Sequence, residues 1–338
     1  MLVAGLVLDF AAPPERSFRV ETSASSLVWI ANITNMSLMS AVGILAAPSR
    51  IKCIMNVLTA VKKMKKTIGN YSLHNKVRCD GKLRVYCMFL IVANIVLIFG
   101  DIFKYTDNAI EYEKDVRVLV LYTAFYYEYL CFTLFACQFI VIASEVHSVM
   151  MMITECLEKL LYTVNANRKY TGKLEPVMHD LATVFGECCD LVRDVNDGFG
   201  LQLLLVLMNY FLELIVTPYY LMSALYMPAA RRDLSYVSLQ VVWAVYHLVC
   251  LLAVVQPAYS TQLQIEKTEH LVSRYLRHFK PYEPVYSELE RFTRQLVFNK
   301  PSYSPLGVCT LSRQLCVSVV TFVRHSRDDT NWYLKRER

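Results

Sequence analysis

The chain has 338 residues, 55% of them hydrophobic and only 19% charged, with a net charge of +6 at pH 7. A soluble domain carries about a quarter charged residues and a smaller apolar share, and here the apolar residues come in long blocks divided by charged stretches, so a single soluble core is excluded and an integral membrane protein is indicated. The basic residues are confined to particular loops, which argues against nucleic-acid binding, and the eleven cysteines contain no CxxC pair, which argues against a disulfide framework or a zinc site.

Residues 1–25 form a lead. Its opening, "MLVAGLVLDFAAP", is short and lacks a basic start, so it makes a poor signal peptide. A helix crossing a bilayer needs roughly 20 mainly apolar residues. The first candidate, 26–47, is diluted by Asn and Ser and contains the sequons at Asn32 and Asn35, where membrane depth argues against glycosylation. Residues 51–82 then carry eight Lys/Arg, among them Lys62, Lys63, Lys65 and Lys66, against one acid, Asp80. Residues 83–103 are a clean span. The short loop 104–117 holds three basic and four acidic residues.

Residues 118–143 form the third span, and "HSVMMMITECLEKLLYTVN" continues its helical apolar spacing past the membrane. The fourth and fifth spans are 199–227 and 237–259. Residues 260–305 hold seven basic residues and two amphipathic stretches, the second with Leu289, Phe292 and Leu296 on one face. A last, short span at 306–323 contains Arg313 and is followed by a polar tail, 324–338. Glycine is sparse and strand-like alternation is absent, so helices satisfy the backbone in lipid. The expected fold is an all-α polytopic membrane protein of about six transmembrane helices with long cytoplasmic helical extensions. The positive-inside rule puts 51–82 and 260–305 in the cytoplasm, and alternation places 144–198 there as well.

With that orientation, polar aromatic residues gather at the outer ends of three helices. The third span carries Tyr122, Tyr126 and Tyr129, the fourth Tyr219 and Tyr220, and the fifth Trp243 and Tyr246. Such residues suit either a headgroup-level belt or a ligand pocket. Tyr126, Tyr129 and Trp243 lie about 9–17 Å from their helix starts, deeper than a belt reaches. Glu128, Glu213 and His247 lie deeper still, about 15–20 Å in. Ionisable groups at that depth face the bundle interior or water, where they either bind helices together or floor a pocket for a polar ligand. Only two acids, Glu128 and Glu213, are counted within the spans. No nucleophile–base set, phosphate loop or metal-ligand spacing is present, so neither an enzyme nor a cofactor or metal is expected.

Two stretches resemble the insect gustatory receptors, members of the insect chemoreceptor family of seven-helix ligand-gated cation channels. One is "VNDGFGLQLLLVLMNYFLELIVTPYYL" (195–221), an Asn, then Phe-Gly, then an apolar run closing on paired Tyr. The other is "RFTRQLVFNKPSYSPLGVCTLSRQLCVSVVTF" (291–322), an amphipathic helix, a Gly about fifteen residues later, a Leu-Ser step and a final apolar run. The resemblance implies a homo- or heterotetramer in the plasma membrane, anchored by its cytoplasmic helices, which would place Leu289, Phe292 and Leu296 in assembly. It also implies a central pore lined by the last helix, carried here by Leu315, Ser318, Val319 and Phe322. The third implication is an outer ligand pocket for a small-molecule tastant, assembled from Tyr122, Tyr126, Glu128, Tyr129, Glu213, Tyr219, Tyr220, Trp243, Tyr246 and His247. Other than the tastant and receptor subunits, the only partner expected is membrane lipid.

Thr321-Phe322 stands at the family's Thr-Tyr position, yet Arg324 and Arg327 follow where apolar residues should. The expectation is therefore a chain truncated or differently spliced at both ends, lacking one of seven helices and conducting poorly. A non-conducting accessory or inactive paralogue of the family is one alternative. An unrelated polytopic transporter is another, although the repeated halves and broken helices of transporters are absent.

Overall fold

The computed structural model describes residues 23–71, 80–111, 116–166, 174–226, 234–281 and 283–315. They are almost wholly helical: α1 (Ser23–Leu45), α2 (Ala47–Gly69), α3 (Asp80–Glu111), α4 (Val116–Ala166), α5 (Leu174–Tyr226), α6 (Leu234–Leu276) and α7 (Pro284–Phe298). A 3₁₀ turn at Pro305–Gly307 follows, and a further helix begins at Arg313. The protein is thus an all-α, multi-pass membrane protein. Four of the described helices are long and apolar enough to cross a bilayer, or five spans if the bent α1–α2 pair counts as one.

The lengths of α4 and α5, 51 and 53 residues, correspond to about 75–80 Å of helix. A hydrocarbon core is about 30 Å thick, so both helices must project well beyond it. On these projecting ends α2 packs against α4 and α5, and α7 lies against α5 and α6. Ion pairs fix the arrangement: Lys65–Glu145 (2.7 Å) and Lys63–Glu187 (3.1 Å) tie α2 to α4 and α5, and Lys267–Glu158 (2.9 Å) ties α6 to α4. Each is worth no more than about 1 kcal/mol. They set register more than stability. A buried bond adds to them, from the Tyr275 hydroxyl to the Leu157 carbonyl (2.7 Å).

Two features depart from expectation. The stretch treated as a basic loop after the first span is mostly helix α2, which leaves α1 at a 65° bend. Pro48 explains the break, since it has no N–H to return to Ile44 and its ring crowds that carbonyl. Past the bend Val57, Val61, Met64 and Ile68 are buried at 4-3-4 spacing, while Lys62, Lys63 and Lys66 face outward. The lysine runs masked this periodicity in the sequence.

The second departure concerns the apolar stripe of α7. Leu289, Phe292 and Leu296 are each 0% exposed within the single subunit, and the Phe292 ring meets Phe185 of α5 with centroids 5.5 Å apart. The sequence suggested that this stripe would be bare without a neighbouring subunit. It is filled inside the chain. The outward residues of α7 are Pro284, Ser287, Arg291, Arg294, Val297 and Phe298.

Helices α2 and α5 pass in close contact at Gly198. A Cβ on Gly198 would lie 2.8 Å from the Cys53 sulfur and 3.0 Å from its Cβ, separations that real structures do not sustain. Gly198→Ala is therefore expected to destabilise the subunit by about 1–3 kcal/mol. Adding Cys53→Ala should recover part of that loss. Thermal unfolding in detergent measures both, and a Gly198→Ala melting point equal to wild type would contradict the close contact.

Candidate functional site

At the end of the bundle remote from α2 and α7, five helices surround a cavity of about 60 Å³, space for roughly four or five waters. Asn32 comes from α1, Asp101 and Tyr105 from α3, and Phe125, Tyr126 and Tyr129 from α4. Glu213, Val216 and Thr217 come from α5, and Tyr236, Gln240, Trp243 and His247 from α6. The spacing within each helix is three, four or seven, apart from adjacent pairs, so each helix offers one face to the cavity.

The lining is polar and hydrogen-bonded although it lies among apolar spans. Asn32 Nδ2 donates to Glu213 Oε1 at 2.6 Å, joining α1 to α5. The Tyr126 hydroxyl donates to Asp101 Oδ2 at 2.7 Å, joining α4 to α3. The Tyr129 hydroxyl bonds His247 Nε2, joining α4 to α6. Trp243 stacks on His247 with centroids 5.3 Å apart and takes the edge of Tyr129 at 5.4 Å. On two of the lining residues one atom each, Asn32 Oδ1 and His247 Nδ1, is buried with no described partner. A buried polar atom left so costs about 1–3 kcal/mol.

Five of the ten expected pocket residues line this space: Tyr126, Tyr129, Glu213, Trp243 and His247. Tyr246 stands behind the wall, its ring against Trp243 and His247 and its hydroxyl near Thr133 Oγ1 (3.4 Å) and the Leu90 carbonyl (3.3 Å). Glu128 is half-buried and is not part of the lining. The side chains of Tyr122, Tyr219 and Tyr220 lie outside the described residues.

The main omissions of the sequence reading are Asn32 and Asp101. Asp101 is 6% exposed and sits inside the 83–103 span, so the spans hold a third acid, not only Glu128 and Glu213. An acid inside an apolar run was the available signal. Asn32 was visible only as a sequon.

A second constellation joins the two stretches that carry the family resemblance. Asn196 of α5 donates from Nδ2 to the Ser302 carbonyl (2.8 Å) and accepts at Oδ1 from the Ser304 amide (3.1 Å). One turn on, a Cβ at Gly200 would come within 3.3 Å of the Leu306 backbone nitrogen, so glycine lets the 3₁₀ turn approach α5. Leu306 and Gly307 both have positive φ, 51° and 71°, and the turn reverses the chain from α7 toward Arg313. Tyr303, buried against Phe139 with centroids 5.9 Å apart, seals the junction.

The expected final span does not run as one helix from Leu306. Residues 308–312 are non-helical and helix resumes at Arg313, whose guanidinium lies 4.3 Å from the Tyr259 ring centroid and 3.4 Å from Gln256 Oε1 of α6. Its charge therefore sits at the start of the last helix, satisfied by α6. Of the expected pore residues, Leu315 is half-buried beside the core. Ser318, Val319 and Phe322 lie outside the described residues, as does the tail with Arg324 and Arg327.

Comparison with known proteins adds three findings. Residues 9–323 match the family model described as 7tm chemosensory receptor. The chain is 28% identical over 159 residues to the Drosophila melanogaster gustatory receptor for sugar taste 43a, an alignment spanning 47% of this chain and 35% of that receptor's length. Its fold is similar to that of the insect olfactory receptor OR5 from Machilis hrabei, with a TM-score of 0.57, 13% identity, and coverage of 96% of this chain and 86% of that one.

Proposed function

Because the chain belongs to the 7tm chemosensory receptor family, we propose that it is a gustatory receptor, a ligand-gated nonselective cation channel subunit that detects a small-molecule tastant at the plasma membrane. The observation that carries this reading is the cavity among α1, α3, α4, α5 and α6. It is partly open, aromatic and polar, and two of its lining residues, Asn32 and His247, each carry a buried hydrogen-bonding atom with no described partner. Ligand sites have this composition: apolar and aromatic walls with a few placed polar groups.

The path from cavity to channel runs along α6. Trp243 and His247 face the cavity, and Gln256 and Tyr259, about 20 Å further along the same helix, hold Arg313 at the head of the last helix. A ligand that tilts or rotates α6 would move the start of the pore-lining helix directly. Four such subunits around one axis would form the channel, as homotetramer or heterotetramer.

Expression in a heterologous cell with whole-cell recording tests the reading. The wild-type chain, alone or with a receptor partner, should give a tastant-evoked cation current. Trp243→Ala should raise the half-maximal concentration at least about tenfold, since it removes a ring that lines the cavity and stacks on His247. Surface expression should not change. A Trp243→Ala response identical to wild type would reject this cavity as the ligand site. A chain that reaches the surface with a family partner and leaves its current unaltered would be an accessory, non-conducting subunit.

A further inference from the structure

We propose that Cys87 and Cys137 are an oxidisable thiol pair, which an organic hydroperoxide dissolved in the bilayer converts to a disulfide joining α3 to α4. This modification site is independent of what the cavity binds.

Contact between the two side chains is the first observation. Cys87 lies on α3 and Cys137 on α4, both inside apolar spans. The Cys137 thiol hydrogen-bonds the Cys87 side chain, and its sulfur reaches the Cys87 carbonyl oxygen at 4.0 Å. Both residues are 7% exposed, and both are free thiols. Among the described residues no other two thiols from different helices make such a contact. Cys188 meets the Met64 sulfur at 3.6 Å, Cys189 the Asn299 carbonyl at 3.4 Å, and Cys250 the hydroxyls of Tyr246 and Tyr210. A cysteine buried alone acts as a small hydrophobe. Two that meet across a helix boundary can also be joined.

Surroundings select the oxidant. On α3 the neighbours Val85, Met88 and Phe89 are apolar and 71%, 59% and 63% exposed, so this face of the helix meets lipid. Charged redox partners such as glutathione are kept out of hydrocarbon by desolvation. A hydroperoxide carried on an apolar body is drawn into it.

The chemistry balances with that one co-reactant. The Cys87 sulfur attacks the terminal oxygen of the hydroperoxide, the O–O bond breaks, and the alkoxide leaves with the thiol proton as an alcohol. Cys87 is then a sulfenic acid. The Cys137 sulfur attacks it, the S–O bond breaks, and hydroxide leaves with the second thiol proton as water. The two sulfurs give up two electrons and the peroxide takes them. Cys137 is the donor in its contacts with Cys87, which makes Cys87 the attacking thiol and Cys137 the resolving one. The Tyr126–Asp101 bond already ties α4 to α3 beside the cavity. The disulfide adds a covalent tie about 20 Å further along the same two helices.

The test treats the purified full chain in lipid nanodiscs with cumene hydroperoxide, blocks free thiols with iodoacetamide, and reads the peptides by mass spectrometry. The Cys87–Cys137 link should exceed every other cysteine pair, Cys137–Cys250 included, at least about tenfold, since only sulfurs already in contact can close to bonding distance. Dithiothreitol should remove it. In Cys137→Ala, with dimedone present, Cys87 should be trapped as its sulfenic-acid adduct. Hydrogen peroxide at equal concentration should form the link at least about tenfold more slowly, because it favours water over hydrocarbon.

Absence of the Cys87–Cys137 link in the wild-type chain, or a link no more abundant than Cys137–Cys250, would overturn the proposal whatever the variant does. Equal rates from the two peroxides would overturn it too, since the oxidant would then arrive through water.

Discussion

Leu289→Glu or Phe292→Glu is expected to abolish the folded subunit, not simply to take a tetramer apart. Both side chains are 0% exposed, and Phe292 packs on Phe185 across the α5–α7 contact. Each substitution forfeits about 2–3 kcal/mol of apolar burial and places a carboxylate where no described cation faces it, at a cost of several kcal/mol more. Against a total stability of 5–15 kcal/mol for a typical domain, the double variant should not survive extraction. Fluorescence-detected size exclusion reads this as loss of the monodisperse peak into the void volume. A sharp monomer peak from Leu289→Glu would instead return the stripe to a role between subunits. The side chains to test for assembly are the outward ones, Val297 at 51% and Phe298 at 81% exposure. Phe298→Glu should fold normally, and it should shift elution only if that face meets a neighbour.

Gln202→Leu is expected to cost about 2–3 kcal/mol, more than removing the charge it serves. Arg50, just past the α1–α2 bend, is 6% exposed. It donates from Nη1 to Gln202 Oε1 at 2.6 Å and from Nη2 to the Gly43 carbonyl at 3.3 Å, with its guanidinium 4.7 Å from the Phe135 ring centroid. Hydrogen bonds to charged groups are worth about 1.5–3 kcal/mol, and removing an acceptor leaves the desolvation cost of the charge in place. Arg50→Met removes the charge but strands the buried Gln202 amide, at about 1–3 kcal/mol, whereas replacing both partners, Arg50→Met with Gln202→Leu, can be close to neutral. The expected order of melting points is therefore wild type, then the double variant Arg50→Met/Gln202→Leu, then Arg50→Met, with Gln202→Leu alone lowest. Thermal scanning of the three variants checks it. A Gln202→Leu melting point above that of the double variant would mean that the glutamine does not serve the buried arginine.

The two resemblance stretches, joined by residues 106 positions apart in the chain, show why a degenerate pattern can still be informative. Asn196 and Gly200 in one, and Ser302, Ser304, Leu306 and Gly307 in the other, look unrelated as text. In the structure they are two sides of one junction: Asn196 holds the loop through both its amide atoms, and Gly200 leaves room for the turn. The last helix takes its starting position from that junction.

Sequence alone determined what depends on local composition and period. Runs of apolar residues near bilayer length identified the helices, and aromatic residues at depth pointed to Tyr126, Tyr129 and Trp243. Tertiary structure decided what depends on which helix lies beside which. It joined Asn32 to Glu213 and Asp101 to Tyr126 across 181 and 25 residues of chain, and it left Glu128, equally deep by counting, outside the cavity. It covered the α7 stripe from within the subunit. Hydrophobicity is a property of each residue and its near neighbours, so it can be read along the chain. A partner for a buried carboxylate or an apolar face is a property of the packing, where helical rotation and crossing choose among faces of similar composition.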